Sequence, residues 1–286
     1  MKSYLNLGCG TRFHPAWTNL DFEAAAPGVL AHDLRRGIPF PADTFEFAYH
    51  SHVLEHFPRE GARRLLAECR RVLRPGGVVR VVVPDLEDLA AAYLETLGRA
   101  AAGEAGWGDN YEYVMLELYD QTVRERPGGE MGAYLRQRDL PNRSFVLDRG
   151  GVDALGIIEA ARRNGGGGER QAGGGPEERR PLAALPRRAL GRLRRAGFGR
   201  EALLRLILGE DYEALRVGRF RRRGEPHLWM YDRYSLPKLL TEVGFESPRL
   251  FGPAESRVPN WAAFGLDTEP DGTVYKPHSL YVEAVK

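Results

Sequence analysis

The first 85 residues alternate short apolar runs with polar turns. "SYLNL" (residues 3–7), "TNLDF" (18–22) and "FEFAYH" (45–50) have strand length, and "VVRVVVPD" (78–85) is nearly continuous in valine, as suits a parallel sheet covered on both faces. Between the last two, Ala62, Leu65, Leu66, Cys69, Val72 and Leu73 recur on one helical face. Pro58 suits the first turn of that helix, and Pro75 to Gly77 ends it and turns the chain into the next strand. This alternation predicts the α/β class, with a doubly wound, mostly parallel sheet. After Asp85 the rhythm changes: residues 86–102 and 111–126 read as helices, and no strand signal returns until about residue 227. Ser235 is then expected to cap a helix running through Leu240 to a stop at Gly244, and "FESPRLF" and "SLYVEAVK" close the pattern as strands.

The predicted organisation is a core of residues 1–85 plus 227–286, interrupted by a mostly helical insertion over 86–226. A tether at 164–175 divides that insertion. It holds seven glycines in the eleven positions from Gly165 to Gly175, a composition that cannot pack a core. Residues 182–217 are basic and amphipathic, with Leu190, Leu193, Leu203, Leu206 and Ile207 as the expected buried stripe.

Composition narrows the function classes. No segment reaches the ~18 to 20 uninterrupted apolar residues of a membrane span, and the N-terminus lacks the order of a signal peptide, so a cytoplasmic location is expected. Two cysteines, Cys9 and Cys69, exclude a disulfide framework and a cysteine zinc cage. The net charge of +2 hides a basic stretch at 162–223, with 17 Arg against 7 acidic residues. Because Arg outnumbers Lys throughout the chain, 37 to 4, this bias does not by itself call for a nucleic-acid partner.

Ligands of open α/β sheets sit beyond the carboxyl ends of the strands. After the first strand come Gly8, Cys9 and Gly10, where glycine permits a sharp turn and close approach to the backbone. The third glycine of a dinucleotide fingerprint would fall at Phe13, and the second strand ends at Asp21 with hardly room for a helix, both against a pyrophosphate cradle. Asp21 can accept from both hydroxyls of a ribose. Asp33 can accept from an exocyclic amine, with Leu34 as an apolar wall, and together these residues would hold an adenosine.

"LNLGCG", "NLD", "HDLRRGIPFPADTFEFAYHSHVLEHF" and "ECRRVLRPGGVVRVVVPD" resemble the consecutive motifs of class I S-adenosylmethionine-dependent methyltransferases, strongly over residues 4–85 and more weakly in the last helix and strands. The resemblance implies a Rossmann-like methyltransferase fold, S-adenosylmethionine as cofactor and S-adenosylhomocysteine as product. By position, Gly8, Cys9 and Gly10 would line the methionine and ribose, Asp21 the ribose, Asp33 and Leu34 the adenine, and His50, Ser51 and His52 the reactive sulfur. The short first crossover departs from the family pattern, so "RFHPAW", with Arg12 and His14, is expected at the pocket rim and Arg12 and His14 beside the acceptor. His52 is the first choice for a general base. Glu55 and His56 are expected in helix-start hydrogen bonds.

"HLWMYDRY" adds Trp229, Tyr231 and Arg233 as acceptor-facing groups, whose aromatic faces and Arg suit a sugar, an acidic glycan or a phosphorylated small molecule; the expected acceptor is a small molecule or glycan, and the resemblance implies a sugar hydroxyl as the methylated group. A metal is not expected, because "HSHVLEH" misses the spacing of metal-dependent hydrolases and His14, His32, His227 and His278 are scattered along the chain. A non-catalytic nucleotide-binding module, an NAD-dependent oxidoreductase and a metal-dependent hydrolase stand as alternatives.

Overall fold

The computed structural model describes residues 3–24, 26–165 and 198–286. Its sheet comprises β1 (Tyr4–Leu7), β2 (Thr18–Asp21), β3 (Val29–Ala31), β4 (Phe45–Ser51), β5 (Leu73–Pro84), β6 (Glu246–Leu250) and β7 (Ser279–Val285), in the order β3-β2-β1-β4-β5-β7-β6. Strands β1 to β5 run parallel, whereas β7 lies antiparallel between β5 and β6. The order reverses between β1 and β4, which places a topological switch point beyond their carboxyl ends.

The sheet is the expected one, with one correction: "FEFAYH" is the fourth strand. The third, Val29–Ala31, is three residues long with only Val29 buried, too short for a periodic signal. No helix occupies the first crossover. The chain crosses through turns held by Cys9 N–H on the Leu20 carbonyl (3.1 Å) and Arg12 N–H on the Cys9 carbonyl (2.8 Å).

One face of the sheet is covered by α1 (Arg59–Val72) and α9 (Ser235–Val243). Ala62, Leu65, Leu66, Cys69 and Val72 of α1 are buried against Leu5, Leu7, Val79 and Val81, and each fully buried leucine contributes about 1.5–3 kcal/mol. Ser235 is the first residue of α9 and not its cap: Tyr234 holds the N-cap position without a side-chain cap bond, while Asp232 Oδ1 accepts from the N–H groups of Tyr234 and Ser235 and from the Ser235 hydroxyl, and Gly244 ends the helix with φ 97°.

The other face carries the aromatic cluster Trp17, Phe47, Tyr49, Trp261 and Tyr281. In its midst lies the fully buried Arg80, which donates to Asp267 (2.9 Å), to Glu283 (3.0 Å) and to the carbonyls of Gly252 (3.0 Å) and Glu255 (2.8 Å). Asp267 also accepts from the Tyr49 hydroxyl (2.6 Å) and the Trp261 indole (3.1 Å). Burial of three charges is tolerated because each is hydrogen-bonded.

Between β5 and α9 the described chain is helical: α2 (Leu86–Ala101), α3 (Trp107–Met115), a π-helical turn (Leu116–Asp120), α4 (Gln121–Val123), α5 (Gly129–Leu135), α6 (Arg143–Gly165), α7 (Phe198–Leu208) and α8 (Asp211–Arg221). Tyr113, Met131, Leu135, Val146 and Ile158 form its own small core, and α6 bends at Gly151 (φ 56°, ψ −145°). The segment leaves the sheet at Asp85 and returns at Tyr231, and these two residues pair in a parallel bridge. The Leu86 N–H donates to the Tyr231 carbonyl at 2.8 Å.

Leu203, Leu206 and Ile207 are exposed among the described residues, contrary to the buried stripe expected of them. Leu190, Leu193 and the tether beyond residue 165 lie outside the described residues. No described helix is long and apolar enough to cross a membrane.

Candidate active site

Gly8, Phe22, His32, His52 and Asp85 follow β1 to β5 directly, so one edge of the sheet gathers the residues that succeed every parallel strand. Gly8 has φ +62°, and a Cβ there would lie 2.4 Å from Val53 Cγ2, so packing and backbone both demand glycine. Gly10 (φ +51°) has open space where a Cβ would stand. Its N–H donates to Asp21 Oδ2 at 2.7 Å, which braces the turn against the end of β2. Burial, and next the Asp21 charge, push the Cys9 thiol up to about 11, which keeps it protonated.

Two cavities open along this edge. The first, about 630 Å³, is lined by Phe22, Asp33, Leu34, His52, Val53 and Leu65, with Arg221 to Gly224 of the helical segment closing its far side. The second, about 380 Å³, lies under α3, α5 and α6, between Asp85, Arg124, Arg149, His227, Lys276 and His278. His52 and His56 line both.

His52 holds a left-handed backbone (φ 54°), a conformation uncommon for a residue with a side chain and typical of functional turns. Its Nε2 stands 3.0 Å from Ser279 Oγ and its Nδ1 3.4 Å from Glu55 Oε1. Burial holds its pKa well below the usual imidazole range, and likewise brings His50 down to about 4 and His227 to about 3, so these rings are neutral. Burial pushes the Glu55 carboxyl up to about 8. Neither Glu55 oxygen accepts a hydrogen bond, contrary to the helix-start role expected of it, and the His56 Nδ1 turns instead to the Pro226 carbonyl at 3.3 Å.

The cations lining the second cavity are paired. Arg149 engages Asp88 (3.2 Å) and Glu117, Arg124 engages Asp120 (3.0 Å) and Glu225 (3.1 Å), Lys276 faces Asp153 (3.9 Å), and His278 Nδ1 meets Asp88 (3.0 Å). The hydrogen bond to Asp88 raises the pKa of His278 above its ordinary value and lowers that of Asp88. For His278 the stabilisation is complete below the unfolded pKa near 6.5 and is lost as pH rises through the higher folded value. A nuclear magnetic resonance titration should find the His278 ring titrating above 6.5, and Asp88→Asn should bring it down.

The sequence candidates are placed unevenly. Asp33 and Leu34 reach the first cavity, but both Asp33 oxygens are held by the Arg35 guanidinium (2.8 Å each), so accepting from an amine requires that pair to open. His50 is fully buried, with both ring nitrogens free of hydrogen bonds, and Ser51 precedes the His52 turn at the end of β4. Arg12 lies over the Tyr275 ring (3.8 Å) and pairs with Glu269; His14 packs on Phe264 and Trp17 is fully buried. "RFHPAW" therefore anchors the opposite face of the sheet and does not line either cavity. Tyr231 is a core residue, Arg233 pairs on the surface with Glu87 (2.9 Å), and Trp229 lies partly exposed under Arg59; none of the three lines the second cavity.

What pattern reading misses is the contribution of the helical segment, including Glu117, Arg124, Arg149 and His227. Lys276 and His278 had a usable signal: they precede β7, whose antiparallel course brings its start to the edge where the other strands end.

Residues 16–81, from the first crossover through β5, match a family model described as a methyltransferase domain. This stretch of the chain is similar to methyltransferase domains. No curated protein matches the chain. Among solved structures it is similar to the YcgJ protein of Bacillus subtilis (20% identity, 34% of this chain and 50% of that one, TM-score 0.25). It is also similar to the PH0226 protein of Pyrococcus horikoshii (22%, 32% and 53%, TM-score 0.27). A methyltransferase of Archaeoglobus fulgidus is similar at 10% identity over 99% of this chain and 85% of that one, with TM-score 0.38. The chain thus spans about half the length of the first two, and none of these likenesses bears on substrate.

The residues after β1 and β2 fit S-adenosylmethionine, the cofactor that similarity to methyltransferase domains implies. The Gly8–Gly10 turn has room above Gly10, Asp21 keeps lone pairs beyond those serving Gly10 and Glu23, and the first cavity adds Phe22 and Leu34 as apolar walls. Asp21 would hold the ribose diol, and Phe22 and Leu34 the adenine.

Proposed function

We propose that the chain transfers a methyl group from S-adenosylmethionine to a hydroxyl of an uncharged, sugar-sized acceptor. One observation carries this reading: the cavity lined by Phe22, Asp33 and Leu34 and the cavity under the helices share a wall made by His52 and His56. When bound, the cofactor supplies an activated methyl group on a sulfonium, open to in-line displacement. The chain's own task is to align the acceptor across that wall and to exclude water. The Ser279 hydroxyl donates to the Lys276 carbonyl and so accepts from His52 Nε2–H at 3.0 Å, which leaves Nδ1 as the nitrogen of the neutral His52 ring that can take the hydroxyl proton. Because Arg124, Arg149 and Lys276 already have acidic partners, none of these three side chains is a spare cation for a phosphate or carboxylate. A neutral polyhydroxylated acceptor suits that balance.

The test supplies S-adenosylmethionine carrying a labelled methyl group to panels of neutral sugars and of sugar phosphates. Label in the neutral panel supports the reading; label only in the phosphates refutes the acceptor class. Calorimetry should show S-adenosylhomocysteine binding, and NADH binding in its place would favour an oxidoreductase. Asp21→Ala should weaken S-adenosylhomocysteine by about 1–3 kcal/mol, since it leaves buried hydroxyls unpaired and releases the Gly10 N–H. An unchanged affinity would remove Asp21 from the ribose site.

A further inference from the structure

We propose that Glu55, His56 and His227 form a binding site for a divalent transition-metal ion of the zinc class, open toward the cavity beneath the helices. The histidines looked scattered in sequence, but the fold brings His227 back beside the turn that follows β4. One donor atom from each of the three residues lies within 4.8 Å of the others. Around an ion at the usual ~2.0–2.2 Å, tetrahedral donors stand about 3.4 Å apart, so the cluster has at most about 1.4 Å to close.

Three further observations point to a ligand. The Glu55 side chain is 1% exposed, yet neither of its oxygens accepts a hydrogen bond; His52 Nδ1 lies 3.4 Å and His56 Nε2 4.0 Å from Oε1. A carboxylate taken out of water without hydrogen-bond donors costs several kcal/mol, which the Lys276 charge offsets only in part and a bound cation would offset further.

His56 is oriented for ligation. A carbonyl can only accept, so the contact with Pro226 places the proton on Nδ1 and leaves the Nε2 lone pair facing Glu55, the outer-shell arrangement usual for metal-bound imidazoles.

Finally, His227 is held in place by its backbone. Its N–H donates to the Gln121 carbonyl (2.8 Å), and the next two N–H groups, of Leu228 and Trp229, donate to the carbonyl of Glu55 itself (2.7 and 3.2 Å). The His227 ring makes no hydrogen bond among the described residues and meets the His56 ring edge-on at 4.9 Å. Two imidazoles and one carboxylate favour zinc-like ions over magnesium or calcium, and three protein ligands leave a coordination position free. His56 and His227 both line the second cavity, so that position faces the proposed acceptor. An ion there would bind and polarise an acceptor oxygen.

The site stands apart from the acceptor assignment, because ion binding is measurable without turnover. The full chain, stripped with a chelator, is titrated with Zn²⁺ by calorimetry and with Co²⁺ by visible absorption. The expected result is one ion per chain. Glu55→Gln and His227→Gln should each weaken binding by more than the ~10- to 100-fold cost of losing an outer-shell partner, while S-adenosylhomocysteine affinity stays at the wild-type value. His14→Gln, remote on Phe264, should leave the ion in place. Failure of the wild-type chain to bind Zn²⁺ overturns the site, and so does equal binding by wild type and His227→Gln. Should Glu55→Gln not fold, the half-buried His227 decides alone.

Discussion

Arg80→Met should lower the unfolding free energy by about 3–5 kcal/mol, the cost of breaking a buried ionic network from one side. The guanidinium is fully buried and serves two carboxylates and two carbonyls. Methionine matches its bulk, but leaves Asp267 and Glu283 in a desolvated setting without a countercharge. For a domain with only about 5–15 kcal/mol in total, that is a large share. Urea unfolding should show a lower midpoint with an unchanged slope, since the exposed area on unfolding is the same. Adding Glu283→Gln should recover part of the loss, because one stranded charge is then neutral. By contrast, Arg63→Ala breaks a half-exposed pair with Glu242 and should cost no more than about 1 kcal/mol. Equal losses for the two variants would contradict the network's weight.

His52→Asn should lower kcat by about 100- to 10,000-fold, the range of a lost general base, while S-adenosylhomocysteine binds as before. Asparagine is the choice because it tolerates the left-handed backbone that His52 adopts, so the turn after β4 survives. Its amide cannot take a proton at neutral pH. Rates measured on the acceptor found in the neutral-sugar panel check this, and an unchanged kcat would reduce His52 to a lining side chain.

The fold was legible wherever one element carried its own signal. The α1 face and the valine run of β5 repeat every turn or every residue, and both were read in place. β3 was lost because three residues cannot show a period. Arg80 stood in plain view inside "VVRVVV", but its partners Asp267 and Glu283 lie 187 and 203 positions away, and no local pattern announces such a network. The site divides in the same way. Gly8 and His52 follow β1 and β4 directly, Gly10 lies in the turn after β1 and Asp21 ends β2, and topology alone predicts that they share an edge. His227, Arg149 and Glu117 arrive there through helix packing, which periodicity does not encode. The same gap misplaced Arg12 and Tyr231: their chemistry suited a pocket, but Glu269 and the hydrophobic core claim them.

The bridge between Asp85 and Tyr231 has a consequence for how such a chain can diversify. The helical segment's two stems meet on the sheet, so its closure is secured at its base. Further length then costs little, about 0.6 kcal/mol for each doubling. The roof over the proposed acceptor cavity can therefore be rebuilt or lengthened while the glycine turn and Asp21, proposed to hold the cofactor, stay as they are. New acceptor preferences become accessible without renegotiating the cofactor.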